Sequence, residues 1–150
     1  MNSKYEISTK ENREFLKASC EDLLNFGHRF LSPNGGSYYL GDDGTPWKDR
    51  NRETWITCRM AHVYSLGLML GHEGSGELAD AALKGLKGEL HDEKNGGWYA
   101  GVTPKGDIVP NKQCYAHAFV ILAASSALTA GRSGAKELLE AVSYTHLTLP

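Results

Sequence analysis

The sequence predicts an all-α fold, an open portion of a barrel of paired helices with short β-hairpins in its loops. Apolar residues recur at helical spacing through most of the 150 residues. A unit of helix, Gly-Gly hairpin and helix also repeats at about 60 residues, since Gly35-Gly36-Ser37-Tyr38 returns as Gly96-Gly97-Trp98-Tyr99. Repeated helix pairs bury their faces only against neighbouring pairs, and loops of this length favour a closed ring over a superhelical rod. Six pairs would need roughly 360 residues, so we expect this chain to form part of the ring.

The first repeat unit opens with a helix that starts at a capping box. Ser8-x-x-Glu11 has that pattern, and we expect helix one to run from there to about residue 31. Residues 32–36 end it, because proline and glycine do not continue a helix. Residues 37–40 and the Gly-Asp-Asp-Gly turn at 41–44 predict a small hairpin. The apolar positions of helix one are Phe15, Leu16, Cys20, Leu23, Leu24, Phe30 and Leu31.

The remaining helices follow from the same signals of apolar period, cap and stop residue. Gly71 and Gly131 are expected to end helices two and four. A second hairpin is expected at residues 98–102 and 108–109, after an Asn-Gly-Gly turn. The predicted helices are residues 52–70, residues 76–91 with Ser75 as a cap, residues 111–130, and a fifth helix from near Ser133 that includes Leu138, Leu139 and Val142. The inner face of helix three is predicted to carry Leu78, Leu83, Leu86 and Leu90.

The last eight residues are predicted to lie outside the domain. Residues 1–142 form the N-terminal part of one barrel domain, whereas residues 143–150 lose the helical period and contain two threonines and a terminal proline. This octapeptide resembles the translated read-through of a sequencing adaptor. We therefore expect it to be foreign to the natural protein, and we assign His146 no functional role.

Composition argues against several classes of function. The net charge is -2 and no basic block is present, whereas a nucleic-acid binder needs a concentrated Lys/Arg surface. The N-terminus is polar and no stretch approaches 18 apolar residues, so neither a signal peptide nor a membrane span is expected. Three widely spaced cysteines without a CxxC pair predict no disulfide framework and no structural zinc site. A reducing cytoplasm is the expected location.

The segment that begins helix two carries the strongest chemical signal. Trp55, Arg59 and His62 stand at i, i+4 and i+7, so they share one helix face. A tryptophan can stack on the apolar face of a pyranose, while a guanidinium donates in a planar fork to hydroxyl oxygens or to an anionic substituent. The pattern therefore predicts a sugar-binding surface. The spacing alone also permits a core tryptophan and an arginine paired with a carboxylate.

A second candidate cluster lies at the start of helix four, in the segment from Lys112 to His117. Helices two and four both follow a hairpin, so their N-terminal residues are expected at the same end of a barrel. Tyr115 and His117 are then predicted to reach one cavity with Trp55 and Arg59, where an imidazole is a candidate proton shuttle. The alternative is a half-buried Tyr115 and a structural His117. Trp98 and Tyr99 are expected to pin their loop to the helices, and the alternative is that they line the mouth of the cavity.

Three motifs in order carry a resemblance to a known family. Thr54-Trp55-Ile56-Thr57-x-Arg59-Met60-x-His62, then Gly96-Gly97-Trp98-Tyr99, then Lys112-Gln113-x-Tyr115-x-His117 resemble N-terminal signatures of the N-acylglucosamine 2-epimerase superfamily. The resemblance covers about residues 12–142 and is closest to aldose–ketose isomerases that act on mannose-type sugars and sulfoquinovose. It implies the N-terminal portion of an (α/α)6 barrel that needs no metal and no cofactor.

The resemblance also assigns roles to residues. It implies substrate contacts for Arg59 and Tyr115, a cavity-wall role for Trp55, and supporting roles for His62, Gln113 and His117. The family uses two histidines as general acid and base, beyond the middle of the full chain, so no catalytic residue is expected here. Imidazole suits enediol chemistry because its ordinary pKa lies near neutrality.

Several functions remain open at this stage. The leading expectation is an enzyme segment whose complete form interconverts an aldose and its ketose, with a monosaccharide as the partner and the oligomeric state undetermined. The alternatives are a 2-epimerase of N-acylglucosamine or cellobiose, a glycoside hydrolase with carboxylates elsewhere, and a non-catalytic sugar- or protein-binding module. Because helix faces lack neighbours, we expect this chain to self-associate or to be poorly soluble.

Overall fold

A computed structural model describes residues 5–148 and contains five α-helices and five short strands within that range. The helices pair through short turns, and the strands sit in the longer connections between the pairs. In chain order the elements are α1 (Lys10–Gly27) with a 3-10 turn (His28–Phe30), β1 (Tyr39–Leu40), β2 (Pro46–Trp47), β3 (Arg52–Glu53), α2 (Thr54–Met69), α3 (Ser75–Lys87), β4 (Gly101–Val102), β5 (Ile108–Val109), α4 (Cys114–Thr129) and α5 (Ala135–Thr148). The predicted all-α architecture with hairpins in the loops is confirmed.

Helix α2 lies at the centre of the packing, against α3 on one side and α4 on the other, and α4 packs in turn on α5. Small side chains let these helices approach closely. Ala61, Ala123, Ala124 and Ala127 are fully buried. A β-carbon added at Gly67 would stand 2.5 Å from the Ser75 hydroxyl. The backbone of α2 at Gly67 therefore packs directly against the Ser75 side chain of α3.

The hairpins differ from the prediction at one point. Strands β1 and β2 pair antiparallel as expected, with Tyr39 opposite Trp47. Strands β4 and β5 also pair as expected, but β3 joins them, with Arg52 opposite Val102 and Glu53 opposite Gly101. Residues 52 and 53 were predicted as the first turn of helix two. They are extended instead, because their backbones pair with a strand almost 50 residues later.

The two Gly-Gly turns are held by the same hydrogen-bond arrangement. The buried Arg52 donates from Nη1 to the Gly35 carbonyl at 3.0 Å, and Lys112 donates to the Gly96 carbonyl in the equivalent position. Ser37, two residues after Gly35, is held as well, because its N–H donates to the Thr57 hydroxyl at 3.0 Å. In the second unit His117 replaces that threonine. The sequence repeat is therefore a structural repeat that fixes each hairpin on the helix that follows it.

Several helix ends depart from the predicted bounds. Helix α1 ends at Gly27 before a 3-10 turn and not near residue 31, α3 ends at Lys87 and not at residue 91, and α4 begins at Cys114 and not at residue 111. Ser75, the predicted cap of α3, is the first residue of that helix.

The cap of α1 is Thr9, whose hydroxyl accepts from the Asn12 N–H at 3.1 Å, so the predicted cap at Ser8 is wrong by one residue. At the other end, α5 continues to Thr148, so the helix does not stop at residue 142 as predicted. The expected foreign origin of residues 143–150 stays a prediction, and Leu149 and Pro150 lie outside the described residues.

The apolar stripe of α1 is only half covered. Leu24 and Phe30 are buried, while Leu16 and Leu23 keep 55% and 71% of their surface exposed. Leu70 at the end of α2 is 72% exposed. An apolar groove of about 340 Å³ runs between α1 and α2 along these side chains. The helical period predicted the stripe correctly, but the described residues supply no element that covers it.

Candidate functional site

The first two turns of α2 and α4 bring four side chains together at one end of these two helices. Arg59 reaches across from α2, and its Nη2 lies 3.3 Å from the Tyr115 hydroxyl on α4, to which it donates. Its guanidinium carbon lies 4.7 Å from the ring centre of Trp55 and 4.9 Å from that of Phe119. The structure therefore brings Trp55, Arg59 and Tyr115 together from two helices, as the sequence predicted, and adds Phe119.

The rings of this cluster form a wall around the guanidinium. Trp55 and Tyr115 meet edge to face with ring centres 6.0 Å apart, and Tyr115 meets Phe119 in the same way at 4.9 Å. Tyr115 keeps 54% of its surface exposed. No carboxylate among the described residues forms an ion pair with Arg59. The faces of the aromatic rings therefore stabilise the positive charge of Arg59 by cation–π contacts, and its N–H groups stay available as hydrogen-bond donors.

Two residues that the sequence analysis did not single out extend the cluster. The Glu53 carboxylate accepts from the Trp55 indole N–H at 2.9 Å and also from the Tyr39 hydroxyl. Burial, followed by the hydrogen bond to Glu53 and the charge of that carboxylate, raises the pKa of Tyr39 well above its usual range. A polar recess of about 200 Å³ adjoins this point and is lined by Tyr39, Asp49, Arg50, Asn51 and Glu53.

His62 lies further along α2 and connects this helix to α4. Its Nδ1 is 2.6 Å from the Ser126 hydroxyl on α4. That hydroxyl already donates to the Leu122 carbonyl at 2.8 Å, so it accepts from His62 and the imidazole carries its proton on Nδ1. Spacing placed His62 on the face of Trp55 and Arg59, and in the structure it serves the contact between α2 and α4.

His117 is buried and both of its ring nitrogens are engaged. The Trp98 backbone N–H donates to Nε2 at 3.1 Å, and Nδ1 donates to the Gln113 carbonyl at 2.9 Å. A backbone N–H only donates, so Nε2 must accept and the ring is neutral with its proton on Nδ1. Of Tyr115 and His117, which were both expected beside Trp55 and Arg59, only Tyr115 lies against them. Gln113 contributes its backbone carbonyl to this arrangement.

The second hairpin is pinned to the helices, as its aromatic residues predicted. Trp98 is 1% exposed and its indole donates to the Leu86 carbonyl at 2.7 Å. Lys112 pairs with Asp92 at 2.7 Å, and this hydrogen bond holds the pKa of Asp92 well below its usual range. Trp98 thus belongs to the core and is not a wall of the site.

The remaining chemistry of the described residues is sparse. Within residues 5–148 no group of three His, Cys, Asp or Glu side chains stands close enough together to hold a metal ion. Cys20, Cys58 and Cys114 are free thiols. Burial raises the pKa of the Cys58 thiol well above its usual range, so it stays protonated in the core. No helix in the described part of the chain combines the length and the apolarity needed to cross a membrane.

Comparison with known proteins gives one family. The family model for N-acylglucosamine 2-epimerase matches residues 35–147. A D-mannose isomerase from Thermobifida fusca is 40% identical over 131 residues, which cover 87% of this chain and 32% of that protein. A D-mannose isomerase from Pseudomonas cannabina pv. alisalensis is 36% identical over 137 residues, covering 91% of this chain and 32% of the relative. The chain thus spans about a third of the length of these relatives.

Solved structures show the same architecture. The cellobiose 2-epimerase from Bacillus thermoamylovorans B4167 superposes with a TM-score of 0.75 at 25% identity, over 91% of this chain and 37% of that one. A crystal structure of a D-mannose isomerase superposes with a TM-score of 0.79 at 23% identity, over 93% of this chain and 36% of that one. At 23% identity the second likeness concerns the fold alone. These neighbours are (α/α)6 barrels, of which the present helix pairs make up about a third.

Proposed function

Because this chain belongs to the N-acylglucosamine 2-epimerase family, we propose that it supplies one wall of the sugar cavity in a cytoplasmic sugar isomerase. The observation that carries the proposal is the convergence of Trp55, Arg59 and Tyr115 from two helices. The three free thiols are in keeping with a reducing compartment.

The geometry suits a neutral or anionic sugar. The Arg59 guanidinium lies against the rings of Trp55 and Phe119, so its movement is restricted and its N–H edges face outward for hydroxyl oxygens. The Tyr115 hydroxyl accepts from Arg59 and keeps its own proton for a sugar oxygen. The Trp55 ring offers an apolar face for the C–H groups of a pyranose. Each of these contacts binds and orients the sugar without taking part in proton transfer.

We assign the complete protein an aldose–ketose interconversion of the mannose–fructose type. A base removes the proton on C2 of the open-chain aldose while the carbonyl oxygen on C1 gains a proton, which gives an enediol. A proton then returns to C1 while the hydroxyl on C2 loses its proton and becomes the carbonyl, and the ketose forms. His62 and His117 are not proposed for this role, because both ring nitrogens of His117 and Nδ1 of His62 are hydrogen-bonded within the helix framework. In this proposal the two histidines that move the protons lie outside residues 1–142.

One observation favours a second candidate, a 2-epimerase. The solved cellobiose 2-epimerase shares the fold at 25% identity. Its reaction would begin with the same removal of the C2 proton and end with its return on the opposite face. The isomerase is preferred because the relatives with higher identity, 40% and 36%, are D-mannose isomerases.

A chimera tests the proposal directly. Residues 12–142 of this chain would replace the matching third of the Thermobifida fusca D-mannose isomerase, and conversion of D-mannose would be followed by NMR in deuterated water. We expect fructose with deuterium incorporated. Arg59→Ala should lower kcat/KM by about 10–100-fold, because hydrogen bonds from a charged group contribute about 1.5–3 kcal/mol. Arg13→Ala on α1 removes the same charge and serves as the control.

The outcomes separate the candidates. Formation of glucose from mannose, or turnover of cellobiose alone, would favour the epimerase. A chimera that folds to the size of the parent enzyme but converts neither sugar would refute the enzymatic proposal and favour a binding module. If Arg59→Ala and Arg13→Ala had equal activity, the assignment of the sugar wall to Arg59 would be wrong.

A further inference from the structure

We infer that Glu53 is a positioning residue for the sugar wall, which fixes the rings of Trp55 and Tyr39 against each other. The inference rests on the proposed function of the Trp55, Arg59 and Tyr115 cluster. It concerns a residue that touches two aromatic donors and not the sugar itself.

The backbone of Glu53 is held by the sheet on one side and by α2 on the other. It pairs with Gly101 in the sheet of β3 and β4, and a β-carbon at Gly101 would stand 3.2 Å from the Glu53 α-carbon. The Glu53 carbonyl accepts from the Thr57 hydroxyl at 3.0 Å. The point from which the carboxylate extends is therefore set by the sheet and by α2 together.

The carboxylate uses one oxygen for two donors. Oε2 accepts from the indole N–H of Trp55 at 2.9 Å and from the hydroxyl of Tyr39. The two rings meet edge to face with centres 6.1 Å apart. A hydrogen bond to an ionised acceptor is stronger and more directional than a neutral one. Two such bonds to one atom lock the rings relative to each other.

The position of Glu53 in the helix would ordinarily give it another task. Glu53 is the residue that precedes the first turn of α2, where a side chain often accepts from a backbone N–H of that turn. No such capping hydrogen bond forms here. No ion pair of Glu53 with Arg50 or Arg59 is found in the described part of the chain either. The carboxylate is thus directed to the two aromatic donors and away from its usual partners.

The hydrogen bonds of Glu53 act on the site through Trp55. The Trp55 ring carries the Arg59 guanidinium at 4.7 Å and borders Tyr115 at 6.0 Å. A rotation of the indole would displace both groups. Tyr39 belongs to β1, so the same carboxylate also attaches the first hairpin to the site. Glu53 therefore couples the first hairpin to the orientation of the sugar wall.

The indole N–H signals of the three tryptophans test this inference without a sugar or a reaction. A proton–nitrogen correlation spectrum of the labelled chimera contains the indole signals of Trp47, Trp55 and Trp98, and replacing each of the three by phenylalanine assigns its signal. We expect Glu53→Gln to shift the Trp55 signal alone and Glu53→Ala to shift it further. Trp98, buried and bonded to Leu86, reports that the fold is intact. Glu73→Gln, in the turn at the opposite end of α2, is the matched control.

Kinetics of the chimera distinguish positioning from bulk stability. Glu53→Gln should raise KM for mannose by about fivefold, which corresponds to one hydrogen bond, while kcat changes less. An unmoved Trp55 signal, or equal shifts of all three indoles, would overturn the inference. Since Arg59→Ala is measured in the same chimera, a failure of Glu53 alone is distinguishable from a failure of the sugar wall itself.

Discussion

The first Gly-Gly turn packs directly on α3. This contact predicts that Gly→Ala has opposite effects on the free energy of unfolding at two positions of that helix. Gly85 lies in the last turn of α3, where Gly→Ala at a compatible site stabilises a helix by a fraction of the ~1 kcal/mol that it gains in a helix interior. Here an added β-carbon would stand 2.3 Å from the Gly36 nitrogen and 2.6 Å from the Gly36 α-carbon. Non-bonded atoms prefer about 3.5–4.0 Å, so the turn or the helix must retreat by about 1 Å.

If the turn moves away from α3, two hydrogen bonds that hold it are weakened. The Gly35 carbonyl accepts from Arg52 and the Ser37 N–H donates to Thr57, so a displaced turn strains or breaks both bonds. Overpacking of this kind costs about 1–3 kcal/mol. With the lost hydrogen bonds offsetting the gain in helix propensity, Gly85→Ala should lower the free energy of unfolding by about 1–3 kcal/mol.

Gly76→Ala, near the start of the same helix, is the matched control. Its added β-carbon would meet the Arg132 guanidinium at 3.4 Å and Leu68 at 3.6 Å, which is ordinary contact. We expect no loss and a gain of at most about 0.5 kcal/mol, because helix propensity acts weakly at a terminus. Urea unfolding followed by circular dichroism gives both values from the midpoint at constant slope. If Gly85→Ala were as stable as Gly76→Ala, the turn would not be seated on α3 as described.

Four further predictions follow from other contacts. His117→Ala leaves the buried Trp98 N–H without its acceptor and should cost about 1–3 kcal/mol in urea unfolding, and His117→Asn should recover part of it if the amide oxygen reaches that N–H. Lys112 lowers the pKa of Asp92, so the contribution of Asp92 to stability is present above pH ~4 and is lost as the pH falls below that value. Asp92→Asn should therefore flatten the dependence of Tm on pH between about pH 2 and 5, and an unchanged slope would contradict the assignment. Burial raises the pKa of Tyr64 to about 12, so its contribution is complete below its ordinary pKa of 10.0 and falls by up to about 1.4 kcal/mol per pH unit above it; Tyr64→Phe should lack this component in unfolding measured at successive pH values. The chain should self-associate through the groove of α1 and α2, where Leu23 and Leu70 are 71% and 72% exposed, and a sharp 16.4 kDa monomer in light scattering would show otherwise.

The fold was predictable where local signals act alone. Gly35 and Gly36 have φ values of 90° and 81°, a region that favours glycine, so a repeated Gly-Gly pair predicts a repeated turn whatever surrounds it. The apolar period of helices two to five likewise depends on residues within two turns of one another. The helix ends were less predictable, with errors from one residue at the cap of α1 to six residues at the end of α5, because neighbouring residues compete to begin or end a helix.

The candidate site was predictable in part for the same reason. Helical spacing placed Trp55 and Arg59 on one face, and the matching position of Tyr115 after the second hairpin placed it at the same end. Spacing did not separate these residues from His62 and His117, which share the same segments. Their partners, Ser126 and the Trp98 N–H, decide that both imidazoles serve the framework.

The class of fold, the repeat and the side chains of the proposed sugar wall follow from backbone preferences and from spacing within a helix, so they can be predicted from the sequence. The extended backbone of Glu53 and its hydrogen bonds to Trp55 and Tyr39 depend on the folded chain. Both require a strand pairing with Gly101, almost 50 residues away, and a lone glutamate at the start of a helix carries no local signal of it. Hydrogen bonds between distant segments form only when packing has brought the segments together, and for this reason the roles of Glu53, His62 and His117 are properties of the folded chain.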